Sequence, residues 1–201
     1  MKKRNIWICF VILLGQSLWI NGIGVWIDNK TFAMQNRRDE ITKIHHLISQ
    51  DLECFPVPVA YWNQISFQSD YGAYRTSGNH DGCDILHDSD VSGVIPIVSA
   101  TDGVITNVGW LYLGGYRIGI TSDNNVYYYY AHLDSYAKGL SVGKKVKSGE
   151  LIGFMGSTGE GEEGTEGKFP VHLHFAIYAE DEKGNEMSVN PYRFLRKLNG
   201  E

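Results

Sequence analysis

The chain has 201 residues, 43% of them hydrophobic, and a formal net charge of −5. That size supports one globular domain with a proper core and leaves little for a second. With a pI near 5.8 there is no basic footprint to follow a phosphate backbone, which counts against nucleic acid as a partner.

Lys2, Lys3 and Arg4 precede an uncharged run, "NIWICFVILLGQSLWINGIGVWI", interrupted only by Gln16, Ser17 and Asn21. About 20 apolar residues cross a bilayer as a helix, and basic residues before them hold the N-terminus in the cytoplasm. Residues 1–28 therefore read as a transmembrane signal anchor. The competing reading is a cleaved signal peptide, with an apolar stretch from Ile6 to Leu14 and Gly15-Gln16-Ser17 as the cleavage site. The anchor is favoured because apolar character continues past that site. Either one exports the rest of the chain, as a single-pass membrane protein with its domain outside the cell or as a secreted protein. Cys9 lies inside the apolar run and reads as an apolar residue. Pairing of Cys54 with Cys83 stays open.

Residues 29–54 read as a juxtamembrane stalk. Ile41, Ile44, Ile48 and Leu52 recur at helical spacing, which predicts a helix over Asp39–Leu52. His45 and His46 are adjacent, hence on different faces, and read as solvated surface.

Residues 55–201 form the domain proper. Short segments rich in Val, Ile, Tyr and Phe ("CDIL", "VIPIVSA", "GVITNVGW", "YRIGITS", "NVYYYYAHL", "LIGFMGS", "HLHFAIYA") alternate with Gly, Asn, Asp and Ser turns. That pattern indicates an all-β sandwich or barrel, closed by a helix in "NPYRFLRKL".

Three segments carry chemistry. In "VHLHF" strand alternation places His172 and His174 on one face and Val171, Leu173 and Phe175 on the other. Two imidazoles side by side on a packing surface need partners, and a divalent metal is a partner that suits them. In "GNHDGCDILHD" an extended run puts His80 and Asp84 on one face with Gly82 between them, leaving the space between the two open. Asp81 falls on the solvated side, Cys83 in the core, and His87 out of phase. In "YYYYAHLDS" His132 ends a strand of four tyrosines that alternate between core and groove. Tyr130, two residues before it, shares its face and is a secondary candidate for substrate contact. Arg75 reads as a turn brace before a substrate-carboxylate partner, and Glu160, Glu162, Glu163 and Glu166 as a solvated acidic loop.

In this order, "YGAYR" leading into "HDGCD", then "YYAHL", "GKKVKSGELIGFMGSTG", "VHLHF" and "NPYRFL" resemble the LytM/lysostaphin-type zinc metalloendopeptidases, which cut peptide bonds in bacterial cell-wall peptidoglycan. The resemblance runs from about Ser66 to Tyr192. It implies a mostly-β, antiparallel sandwich or barrel-like domain of the duplicated hybrid motif type. It further implies one zinc ion per chain held by His80, Asp84 and His174, with His132 and His172 as catalytic residues that are not ligands. Departures from the family pattern are the long acidic loop "GEGEEGTEGKFP" before the His pair, which bears on substrate preference, and Cys83, where an aliphatic residue is usual. Three protein ligands leave a fourth tetrahedral position for water, whose pKa zinc lowers to about 7. The bond cut in the peptidoglycan peptides, and any protein activator, are open at this level.

Two other function classes compete. A catalytically silent cell-surface scaffold of the same fold would typically lack one or more of the five residues, and all five are here. "GVITNVGW" with "GKKVKSGELIGFMGSTG" also resembles a lipoyl- or biotinyl-type carrier barrel, which has no use for the histidines.

Overall fold

The computed structural model describes residues 30–75 and 78–200. A helix, α1, covers residues 30–51, starting well ahead of Asp39. Residues 30–38 hold no Gly or Pro and include good helix formers such as Ala33, Met34 and Gln35, yet they have no apolar stripe for periodicity to register. Chain contacts divide the protein after Lys43. In the first unit the helix is exposed through Asp39, with Gln35 Nε2 donating to Asp39 Oδ1 at 2.8 Å. The apolar segment of residues 1–28 lies outside the described residues, and no described helix is long and apolar enough to cross a membrane.

The second unit, Ile44–Glu201, holds the core. Ile44, Ile48 and Leu52 are buried together with Phe55 and Val57. After a 3-10 turn over Val59–Gln64 come twelve strands: β1 (Ile65–Phe67), β2 (Tyr74–Arg75), β3 (Gly78–Asn79), β4 (Gly82–His87), β5 (Pro96–Val98), β6 (Gly103–Leu111), β7 (Gly115–Thr121), β8 (Tyr127–Tyr136), β9 (Lys145–Val146), β10 (Leu151–Met155), β11 (His172–Glu180) and β12 (Glu186–Val189). The helix α2 (Tyr192–Leu198) follows, where the sequence places one. Every strand pairing is antiparallel. Ten strands share one sheet in the order β1-β4-β11-β8-β7-β6-β9, with β12 beside β11 and β10 pairing with both β5 and β8; β2 and β3 make a separate hairpin.

Burial follows the alternation. Ile85, Leu173, Phe175, Tyr128 and Tyr130 are fully buried. The buried Asp51 carboxylate receives hydrogen bonds from Ser122 Oγ (2.6 Å), Asn124 Nδ2 (2.7 Å) and Tyr128 Oη (3.1 Å). Three donors offset the cost of burying that charge, and they tie the end of α1 to the β7–β8 turn.

The phase of β8 reverses once. Tyr116 pairs with Leu133 and Ile118 with Tyr130, so two steps along β7 oppose three along β8. His132 takes up the extra residue at φ 61°. This β-bulge corrects the expectation for Tyr130. Its ring lies in the core, not on the His132 face, and its hydroxyl accepts a hydrogen bond from the Ala100 amide at 2.9 Å. Tyr129 faces the groove instead, its hydroxyl lying over Gly114, where any Cβ would sit 2.2 Å from it.

Both cysteines of the domain are free thiols. Cys54 Sγ donates to the Ser99 carbonyl at 3.2 Å, and the buried Cys83 donates to that of Gln68 at 3.3 Å.

Candidate metal centre and active site

β11 runs between β4 and β8, and its register sets the site. His174 pairs with Asp84 on one side and with Ala131 on the other. His80 is not part of a strand, since β4 begins at Gly82. It reaches the same point from the preceding bend, held by Nδ1, which lies 3.1 Å from the Asp70 carbonyl oxygen and 3.3 Å from Asp70 Oδ2. Both neighbours are acceptors, so Nδ1 carries a proton, and Nε2 is left facing Asp84 and His174.

That nitrogen completes a triangle. His80 Nε2 is 3.0 Å from Asp84 Oδ1 and 2.9 Å from His174 Nδ1, and His174 Nδ1 is 3.1 Å from Asp84 Oδ1. Among the described residues these three form the one group of His, Cys, Asp or Glu side chains able to hold a metal ion. Tetrahedral zinc with bonds of about 2.0–2.1 Å separates its ligands by roughly 3.3 Å, so the triangle fits zinc after a small expansion. Electrostatics favours positive charge at its centre. Burial disfavours a charged His80, but hydrogen bonds to Asp70 and Asp84 outweigh it and raise the pKa to about 10. Burial also opposes ionisation of Asp84, yet hydrogen bonds from His174 and His80 hold its carboxyl well below the usual carboxylate range.

Gly82 lies beneath this cluster. Where the sequence suggests open space between His80 and Asp84, the His174 ring fills it. A Cβ at Gly82 would lie 2.7 Å from His174 Cε1 and 2.7 Å from the Phe175 carbonyl oxygen. Gly82→Ala is expected to destabilise the domain by about 1–3 kcal/mol and to weaken metal binding, because the ring or the β4–β11 ladder must shift. Thermal melts with and without metal check this; an unchanged melt in both would contradict the packing.

The two remaining histidines stand beside the triangle. His172 Nε2 is 3.7 Å from Asp84 Oδ1, and the His132 and His172 rings lie 4.6 Å apart. His132 Nδ1 donates to the Thr158 carbonyl (2.8 Å) and His172 Nδ1 to the Pro170 carbonyl (2.7 Å). Each imidazole is thereby fixed as the Nδ1–H tautomer with a bare Nε2. Burial, then the neighbouring His172, lowers His132 to about 3, and burial also lowers His172. Both are neutral at pH 7.

All five residues line one cleft of about 490 Å³. His87 is buried elsewhere, its Nδ1 2.9 Å from the Val91 carbonyl oxygen. His46 is exposed, and His45 packs edge-on against Phe194.

Residues that sequence reasoning passed over also shape the cleft. Phe169 lies edge-on against both His132 and His172, with ring centroids 4.6 and 5.1 Å away. Its signal was an aromatic residue in an otherwise polar Gly/Glu loop. Asp70 had no such signal, since it acts partly through its backbone. Arg75 braces as expected, but the group it braces is Asp84, with Nη2 2.9 Å from Oδ2. Glu160, on the acidic loop, reaches the cleft rim.

Residues 78–191 match peptidase family M23, and they include all five histidine and aspartate positions of the cleft. The chain belongs to that family. An L-Ala–D-Glu endopeptidase of Bacillus subtilis (strain 168) is 37% identical over 180 residues, which are 87% of this chain and 53% of the relative. A glycyl-glycine endopeptidase of Staphylococcus capitis is 32% identical over 131 residues, 63% of this chain and 32% of the relative. The chain thus spans about half or less of these curated relatives. The crystal structure of a LytM-type protein of Ruminococcus gnavus superposes with a TM-score of 0.69 at 47% identity, covering 75% of this chain and 62% of that one. The catalytic domain of lysostaphin from Staphylococcus simulans superposes at 0.53 with 27% identity, covering 70% of this chain and 98% of that domain. Membership in a family of LytM/lysostaphin-type peptidoglycan hydrolases, expected from the motifs, is therefore established.

Proposed function

We propose that this M23 domain is a zinc-dependent endopeptidase hydrolysing peptide bonds in cell-wall peptidoglycan. The observation that carries it is the convergence of His80 Nε2, Asp84 Oδ1 and His174 Nδ1 within 2.9–3.1 Å of one another, beside two neutral imidazoles. One zinc ion held by the three would supply Lewis acidity toward an amide carbonyl and a supply of nucleophilic water at neutral pH.

The chain's own groups do the rest. A bare Nε2 on His132 or His172 accepts the proton of the attacking water, and the imidazolium so formed donates it to the leaving amine. In the meantime its positive charge stabilises the oxyanion of the tetrahedral intermediate. Phe169 keeps water from one side of both rings, which favours their neutral form before reaction.

Relatives named for two different bonds, L-Ala–D-Glu and glycyl-glycine, support a peptide target in the wall without choosing between them. Residues 1–28 suit a membrane anchor or signal peptide that would deliver the domain to that substrate, with residues 29–43 as stalk and the unit from Ile44 onward, which holds the core, as the catalytic domain.

The test is zinc content by elemental analysis, alongside release of new amino groups from purified peptidoglycan with and without a chelator. Near one zinc per chain with chelator-sensitive release is expected. Zinc without cleavage would favour a silent surface scaffold, and no zinc would overturn the ligand assignment.

A further inference from the structure

Arg75 is the one Lys or Arg among the described residues lining the cleft, whose other charged members are Asp81, Asp84 and Glu160. Its brace on the acidic residues uses a single nitrogen: Nη2 lies 2.9 Å from Asp84 Oδ2 and 3.4 Å from Asp70 Oδ2. Nε and Nη1 have no partner among the described residues, and the side chain is 46% exposed. A brace alone leaves most of the guanidinium unused. Five N–H donors in a planar fork match a carboxylate through two parallel hydrogen bonds.

The position of this group defines what it can read. Asp84 separates the guanidinium from the ligand triangle by the width of one carboxyl group, because Oδ1 faces His80 and His174 while Oδ2 faces Arg75. Successive Cα atoms of a peptide are about 3.8 Å apart. With the scissile carbonyl at the triangle, a carboxylate on the residue flanking that bond reaches Arg75. Asp81 and Glu160 in the same lining repel an anion, which leaves the Arg75 guanidinium as the one Lys or Arg partner the cleft offers it.

Resting on the peptidase reading above, we propose that Arg75 is a specificity-determining residue that selects peptides carrying a free carboxylate on the residue next to the scissile bond. An amidated or glycine-flanked bond offers no such partner.

The test compares two stem-type peptides that differ only in a free carboxylate or a carboxamide on the flanking residue, with pentaglycine as a third. Full-length protein, Arg75→Gln and Arg75→Lys are assayed for kcat/KM, and calorimetry measures binding of the carboxylate and carboxamide product peptides to the same proteins. The wild type is expected to prefer the carboxylate peptide by roughly 10- to 100-fold, the worth of a charge-assisted pair. Arg75→Gln removes the preference, and Arg75→Lys, which keeps the charge without the fork, retains part of it. The decisive quantity is the ratio between the two peptides, since loosening of Asp84 lowers both alike. Equal cleavage of both by the wild type, or equal loss on both in Arg75→Gln together with lost zinc, would reduce Arg75 to a brace and overturn the proposal. If no peptide is cleaved, the peptidase reading fails; the product-binding ratio then still decides for or against Arg75.

Discussion

His174→Ala and His80→Ala are expected to lose zinc and activity together, with activity falling to the level of chelated enzyme. Each removes one corner of a triangle whose edges are 2.9–3.1 Å, and the two remaining donors cannot close a tetrahedral site. Disturbing only the outer partners of a metal ligand costs roughly 10- to 100-fold in metal affinity, so loss of a ligand itself should exceed that. Asp84→Ala belongs to the same group but carries a second effect. It leaves the Arg75 guanidinium facing His80 and His174 without the carboxylate that pairs with them, and thermal stability should fall with metal content. The histidine variants therefore give the cleaner measurement: elemental zinc, a thermal melt to show that the fold survives, and amino-group release from peptidoglycan. Full zinc occupancy and full activity in either one would remove that residue from the ligand set.

The positions that meet in the triangle were legible because strands have a period of two. His172 and His174 lie two apart on β11, and Asp84 lies directly opposite His174 on β4. For His80 the same reasoning reached a member of the triangle by a route the structure does not follow. It sits in a bend, and what orients it is the backbone and side chain of Asp70, ten residues upstream. A carbonyl oxygen leaves no mark in a sequence. The bulge at His132 was equally hidden, because its sequence signature is a glycine or asparagine at positive φ, and here a histidine holds that conformation. One extra residue was enough to send Tyr130 into the core and to bring Tyr129 to the groove. The start of α1 escaped for a different reason. Periodicity detects a helix through its buried stripe, and residues 30–38 bury nothing.

His132→Ala and His172→Ala, by contrast, are expected to keep zinc and lose roughly 100- to 10,000-fold in kcat, the range of a positioned general acid or base. Neither contributes an atom to the ligand triangle, and each is anchored by its own backbone carbonyl, from Thr158 and from Pro170. Removing one ring therefore leaves the triangle and the other ring's tautomer in place. The two are close enough to share a single task, with ring centroids 4.6 Å apart and burial lowering the pKa of both. If they move one proton between them, first from water and then to the leaving amine, the double variant should cost little more than the worse single one, as groups that act as a unit do. Independent roles would instead make the two losses multiply. Elemental zinc and single-turnover rates on one peptide, for the two single variants and the double, separate these cases. Zinc loss in either single variant would show that the residue belongs to the metal site after all.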